Sequence, residues 1–311
     1  MSKLAVHLNN YLTLRRQLGF KLVMPAKLLP NFVRFAEKKR ARFITTDVAL
    51  RWATQPPNII PAQRANRLGM VRRFAEYLSA FEPRTEIPSK KLLPYQFRRQ
   101  TPYLYRDDEV LRLIEAARQI NPADEIKGVT YATLFGLLAA TGMRVGEAVA
   151  LDRENVDLNH DLITVRRAKG NKARFVPLHK STTRELSRYS AVRDRTFPEP
   201  ISKSFFVSER GTRLLHCTVN RWFLWAACMV GLRKRGERRG PRLHDLRHRF
   251  AISMLLTWYR SKTDVEARLP ELATYLGHVH VRHTYWYLSA APELLRLATL
   301  RLERAQKRRH A

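Results

Sequence analysis

Cysteine is nearly missing from this sequence. Cys217 and Cys228 are the only two in 311 residues, and they show neither CxxC spacing nor a metal-site pattern. No disulfide framework follows from them, and a reduced, intracellular compartment is the default. Long apolar runs are missing too. The longest, YATLFGLLAA from Tyr131 to Ala140, is too short to cross a bilayer and reads as a buried helix. The opening stretch MSKLAVHLNNYLTLRRQLGF lacks the unbroken apolar core of a signal peptide, so a soluble cytoplasmic protein is expected. There is no internal repeat, no HExxH, and no GxxxxGK[ST] phosphate loop.

Acidic residues are scarce as well: 27 Asp and Glu stand against 58 Lys and Arg, a formal net charge of +31. That excess goes well beyond what solubility needs, and its field favours a polyanion, with nucleic acid first. An anionic membrane surface is second, but no isolated basic amphipathic anchor or lipidation motif supports it.

Residues 1–83 read as helical. LAVHLNNYLTLRRQLGF places Leu4, Leu8, Tyr11 and Leu12 at helical spacing, and KLLPNFVRFAEKK and ANRLGMVRRFAEYLSAF repeat an apolar stripe with basic residues on the other faces. Four prolines then break the pattern in EPRTEIPSKKLLPYQFRRQTPYLY, marking an extended linker over residues 84–104. A second region follows. RDDEVLRLIEAAR starts a helix near Asp107 or Asp108, VTYATLFGLLAATG is a buried helix stopping at Gly142, and RVGEAVAL is a short helix. DLITVRRAKGNKARFVPLH alternates around Gly170-Asn171 as a β-hairpin does. SKSFFVSERGT suggests one more short strand and a turn, and helices return from VNRWFLWAACMVGL onward. The expected fold is mainly α with a small antiparallel β-sheet: a helical N-terminal domain, an α+β domain over 105–295, and a basic tail over 296–311.

Breaking a phosphodiester without metal needs fixed cations on the phosphate oxygens, a nucleophile relieved of its proton, and an acid for the leaving oxygen. Arginine suits the first task because its planar fork matches phosphate and stays charged. Arg144 follows the helix stop in TGMRVGEA, and Glu147, three residues on, is placed to hold it; an ordinary i,i+3 ion pair is the bland alternative. Lys169 sits at the hairpin turn, where a solvated turn lysine is the alternative and Lys172 a competitor. His244 and Arg247 in HDLRHRF share one face at a helix start, whose free N–H groups suit a phosphate.

In LGHVHVRHTYWYLS, Gly277 looks like a helix C-cap that puts His278 at a corner. Three histidines without a nearby carboxylate or thiolate do not make a zinc site, so no metal and no cofactor is expected. Tyr285 and Tyr287 point about 200° apart on a helix. Only one of them can face a given site, and spacing alone does not choose.

The ordered set TGMRVGEAVAL, AKGNKARFVPL, HDLRHRFA, LGH, and a tyrosine nine residues past that histidine resembles the tyrosine recombinase (phage integrase) family, in particular its Xer-like bacterial branch. The resemblance covers residues from about 106 to 290. It implies that residues 1–83 are a core-binding domain that clamps DNA and that 105–295 are the catalytic domain. Arg144 and Arg247 would clamp the scissile phosphate, Lys169 would protonate the departing 5′ oxygen, and His244 would assist proton transfer. His278 would hydrogen-bond the phosphate, Glu147 would support Arg144, and Tyr287 would be the nucleophile.

The implied reaction cleaves and rejoins DNA strands through a 3′-phosphotyrosyl intermediate without ATP or metal. It would run in a homo- or hetero-tetramer on double-stranded DNA, with C-terminal segments exchanged between neighbours, and would serve a mobile element. Leu288 and Ser289 depart from the polar residues often found after the tyrosine, and His280 is extra. Two other readings use the same features: a DNA-binding accessory or degenerate recombinase that does not cleave, and a type IB topoisomerase-like relaxing enzyme.

Overall fold

The computed structural model describes residues 2–55, 57–95, 101–121, 124–166, 173–237, 239–261, 263–290 and 292–309. The chain forms two compact units, Met1–Gln100 and Thr101–Ala311.

Among the described residues the first unit holds four helices, α1 (Lys3–Gln17), α2 (Val23–Lys38), α3 (Thr46–Thr54) and α4 (Pro61–Leu78). Ser2 and Thr45 cap α1 and α3 by accepting from the backbone N–H groups of Ala5 and Val48. The apolar stripes meet around Leu8, Phe32, Trp52 and Phe74. The start of the proline-rich stretch is packed on this unit: Thr85 is buried, and Glu86 donates its N–H to the Ile44 carbonyl.

The second unit continues with α5 (Asp107–Arg118), α6 (Glu125–Thr141), α7 (Val145–Val149), a single 3₁₀ turn (Arg153–Asn155), β1 (Val156–Asp157), β2 (Leu162–Arg166) and β3 (Ala173–Pro177). Then come α8 (Lys180–Thr196), α9 (His216–Met229), α10 (Asp245–Arg260), α11 (Val265–Leu276), α12 (Arg282–Ala290) and α13 (Pro292–Arg309). Helix α6 is apolar nearly all round and runs through the core, as its uninterrupted apolar run requires.

The sheet is antiparallel in the order β1-β2-β3, with Ile163 opposite Val176 and Val165 opposite Arg174. The expected hairpin is therefore present in its strands, while its turn, with Lys169, Gly170 and Lys172, lies outside the described residues.

One expectation needs correction. SKSFFVSERGT forms no strand among the described residues; it makes isolated bridges, Asp152 with Ser204 and Val207 with Arg213, around a turn closed by Ser208 and Thr212. Gly211 takes φ +69° there, and the turn follows Val207 too closely for a ladder to extend. The basic stretch expected as a tail from residue 296 runs, as far as Arg309, in helix α13. Its Leu, Ala, Glu, Gln, Lys and Arg are strong helix formers with no glycine or proline among them, and Pro292 sits at the helix start, where proline is tolerated. Leu294 is buried in the cluster formed with Leu255 and Trp258 of α10, and Arg260 pairs with Glu293 at 2.6 Å.

Candidate active site

The site is organised by the C-terminal end of α11. A helix leaves its last carbonyls without intrahelical partners and carries partial negative charge there. Gly277 ends α11 in the left-handed conformation at φ +68°, and the His278 N–H returns to the Ala273 carbonyl at 2.8 Å, turning the chain sharply. Three successive carbonyls at this end each accept from a different arginine. Arg174 Nε donates to Tyr275 at 2.8 Å, Arg247 Nη2 to Leu276 at 2.7 Å, and Arg144 Nη2 to Gly277 at 3.0 Å.

Each arginine reaches this point from another element. Helix α6 stops at Gly142, φ +61°, and Arg144 is then the N-cap of α7. Glu147 accepts from the Arg144 backbone N–H at 3.0 Å and from Arg144 Nη1 at 2.9 Å. Arg247, on the first turn of α10, is 2 % exposed and also donates Nη1 to the Gly142 carbonyl at 2.8 Å. Burial, and then the Arg144 cation, bring the Arg247 guanidinium down to about 10, still protonated at neutral pH.

Arg174 lies on the inward face of β3 beside Val176 and grips Glu147 with both terminal nitrogens, at 2.9 and 2.7 Å. Burial alone would raise the Glu147 carboxyl. The fork of Arg174, together with Arg144, outweighs it and holds that carboxyl at about 2.

The two tyrosines part as helical geometry requires. Tyr285 is 49 % exposed, whereas Tyr287 is 2 % exposed and faces inward. The Tyr287 ring stacks on His278 with centroids 6.2 Å apart at 20°, and its hydroxyl lies 3.3 Å from His248 Nδ1. His278 is fixed by Nδ1 against the hydroxyl of fully buried Thr284 at 2.8 Å. Burial first, and then Arg247 and Arg144, push His278 down to about 3. His248 is pushed down to about 4 by burial and then by His244. His244, the N-cap of α10, remains exposed, and partial desolvation and then Arg247 lower it. These imidazoles are therefore neutral at physiological pH, beside cations that stay charged.

Of the residues singled out in the sequence, Arg144, Glu147, Arg247 and His278 meet at the end of α11, with Tyr287 stacked on His278. His244 borders the group through His248, their rings edge-on at 4.7 Å. Lys169 lies outside the described residues. Arg174 and His248 escape the sequence reading. The first is signalled by the alternation in ARFVP, which turns Arg174 to the same side as Val176. The second is signalled by its place one helical turn after His244. Among the described residues no group of three or more His, Cys, Asp or Glu could hold a metal ion. The arrangement suits an anion of phosphate type: rigid guanidiniums, neutral imidazoles and one inward-facing phenol.

Residues 104–293 match the phage integrase family. The chain is 41 % identical over 308 residues to the Sinorhizobium fredii protein y4rB, whose given name is that of an integrase/recombinase, with 98 % of each covered. It is 29 % identical to the tyrosine recombinase XerD of Caulobacter vibrioides, covering 76 % of this chain and 73 % of that protein. Its fold is similar to that of the Tn1549 transposon integrase solved with transposon right end DNA. The TM-score is 0.66 at 13 % identity, with 96 % of this chain and 98 % of the other covered.

Proposed function

This chain belongs to the phage integrase family and is a tyrosine recombinase, and from that premise we propose how its residues divide the chemistry of cutting and rejoining DNA. Tyr287 attacks the scissile phosphate and keeps the 3′ phosphate as a phosphotyrosyl ester, freeing a 5′ hydroxyl. Arg144 and Arg247 neutralise the charge that grows on the non-bridging oxygens, His278 donates a hydrogen bond to them, and Lys169 protonates the departing 5′ oxygen. His244 assists the movement of the phenol proton, and Glu147 holds Arg144 in position. The phosphoester bond conserves the energy of the cut linkage, so rejoining to another strand needs neither ATP nor metal.

The observation that carries this reading is the anchoring of Arg144 and Arg247 on adjacent carbonyls, Gly277 and Leu276, next to a histidine on which Tyr287 stacks. Guanidiniums so fixed pay little reorganisation when charge develops on a bound phosphate. Exchanging two duplexes requires four strand cuts, and each chain supplies one tyrosine; four copies, alike or mixed, therefore assemble on double-stranded DNA. The net charge of +31 supplies the long-range attraction. Residues 1–83 clamp the duplex and 105–295 carry the chemistry. The enzyme works in the cytoplasm, and its task is the movement of a mobile element.

The test is a nicked suicide duplex carrying the target site, whose short cleaved fragment diffuses away and traps the adduct. The wild-type chain and Tyr285→Phe should yield a covalent protein–DNA band in denaturing gels, and Tyr287→Phe none. Loss of the band in Tyr285→Phe alone overturns the assignment of the nucleophile.

A further inference from the structure

His248 is a group the family resemblance leaves without a task, yet its ring Nδ1 meets the hydroxyl of Tyr287, at 3.3 Å. Its ring also packs edge-on against Trp286 at 5.2 Å and Tyr287 at 5.5 Å. These contacts fix its orientation from the α12 side, while His244 abuts it from the preceding turn of α10. We propose that His248 is a catalytic residue, the direct acceptor of the Tyr287 proton, with His244 supporting it from the preceding turn.

This assignment rests on Tyr287 being the nucleophile. The step balances as follows. The Oη–H bond of Tyr287 breaks and its proton passes to His248 Nδ1 as the Oη–phosphorus bond forms. The bond from phosphorus to the 5′ oxygen breaks, and that oxygen takes a proton from the acid proposed above, Lys169. Rejoining runs backward: the incoming 5′ hydroxyl returns its proton to the amine, and the His248 imidazolium reprotonates the departing phenolate.

The surroundings of His248 suit this task. A phenol O–H donates, and only a neutral imidazole can accept at Nδ1. Burial and nearby cations keep the His248 ring neutral. The charged and titratable groups acting on it from its own segment are Arg242, His244, Asp245 and Arg247; from α12, Tyr287 faces it. Burial first, and then the cationic balance of these groups, make His248 a weak base in the free protein. A bound phosphate adds negative charge, which favours the imidazolium and raises its basicity. The base therefore gains strength when the substrate arrives, and an idle phenol is not ionised.

The experiment is single-turnover cleavage of the suicide duplex from pH 6 to 9 by wild-type, His248→Gln, His248→Ala and His244→Ala chains, with DNA binding followed by footprinting. His248→Gln and His248→Ala should bind DNA but cleave roughly 100-fold more slowly or worse at neutral pH. Their rates should climb with hydroxide across the range where the wild-type rate levels off, and added imidazole should restore part of the His248→Ala rate. A merely structural contact would lower the rate by one factor at every pH, without rescue, and that result overturns the proposal. So does a pH limb lost in His244→Ala but kept in His248→Gln.

If the variants do not fold, ¹⁵N-histidine spectra decide. Tyr287→Phe should shift one accepting Nδ1 resonance present in the wild-type chain, and no shift overturns the contact. A wild-type chain that traps no adduct, or a Tyr287→Phe chain that does, would instead sink the reading of the nucleophile on which the proposal stands.

Discussion

Arg144 and Arg247 donate to the carbonyls of consecutive residues, Gly277 and Leu276, although they come from elements about a hundred residues apart in the chain. One helix end thus sets the separation of the two cations most suited to a phosphate, and the register of α11 against α7 and α10 matters more than local flexibility of either side chain. A third arginine, Arg174, completes the row at Tyr275 and ties it to β3.

Arg174→Met should therefore destabilise the second unit although the residue need not touch DNA. The substitution removes both prongs of the grip on Glu147 and the donor to Tyr275. Breaking a buried pair of this kind costs about 3 kcal/mol, read as a fall in urea midpoint with the slope unchanged. Arg174→Lys should recover less than half of that, because an ammonium cannot reproduce the planar fork. Full recovery by lysine would mean that charge alone is what Glu147 requires.

Glu147 should make stability depend on acid. Its carboxyl lies at about 2 in the folded protein against an ordinary 4.5. A depressed folded value contributes stability that is complete above the unfolded value and is lost as pH falls from about 4.5 towards 2. The size is about 3 kcal/mol. Glu147→Gln should be less stable than wild type at pH 7, and the gap should close as pH drops through that window. Denaturant midpoints measured at pH 7, 4 and 3 would check it; a gap that stays constant with pH removes the carboxylate as its cause.

Gly142→Ala tests a backbone role. Gly142 has φ +61°, and an added Cβ would lie 2.6 Å from Phe250 Cδ1. The left-handed conformation alone costs a non-glycine residue about 1–2 kcal/mol, and the clash with Phe250 adds to it. The same residue offers its carbonyl to Arg247, so a shift here moves a cation as well. The expected outcome is a loss of about 3 kcal/mol in thermal or urea unfolding, with cleavage falling further than DNA binding.

Much of this arrangement is legible in the sequence because its signals are local. The buried run of α6 closed by a glycine, the i,i+3 spacing of Arg144 and Glu147, and the stop of α11 at Gly277 each follow from residues within one or two helical turns. What is not legible depends on contacts between distant segments. Arg174 reads as one more basic residue in a very basic chain until the strand register turns it inward to meet Glu147. His248 reads as a neighbour of Arg247 until α12 brings Tyr287 against it. The helix α13 hides behind its charge: RLERAQKRR looks like a solvated tail, yet its helix formers need only the docking of Leu294 near Trp258 to settle. The choice between Tyr285 and Tyr287 stays open at the level of spacing, because the 200° rule demands one winner without naming it.

The charge of the chain makes a prediction independent of any single residue. A surplus of 31 positive charges attracts the DNA backbone through phosphate contacts that each release a condensed counterion. If roughly 6–10 phosphates are engaged, affinity should fall about 10³–10⁵-fold between 50 and 200 mM salt, with a linear plot of log affinity against log salt. Fluorescence anisotropy with a labelled duplex measures it. Substituting an exposed lysine such as Lys90, which lines a basic cleft of about 280 Å³ with Arg72 and Arg73, should lower affinity evenly across DNA sequences and reduce the slope by about one. A slope near zero would mean that the excess charge serves something other than the DNA backbone.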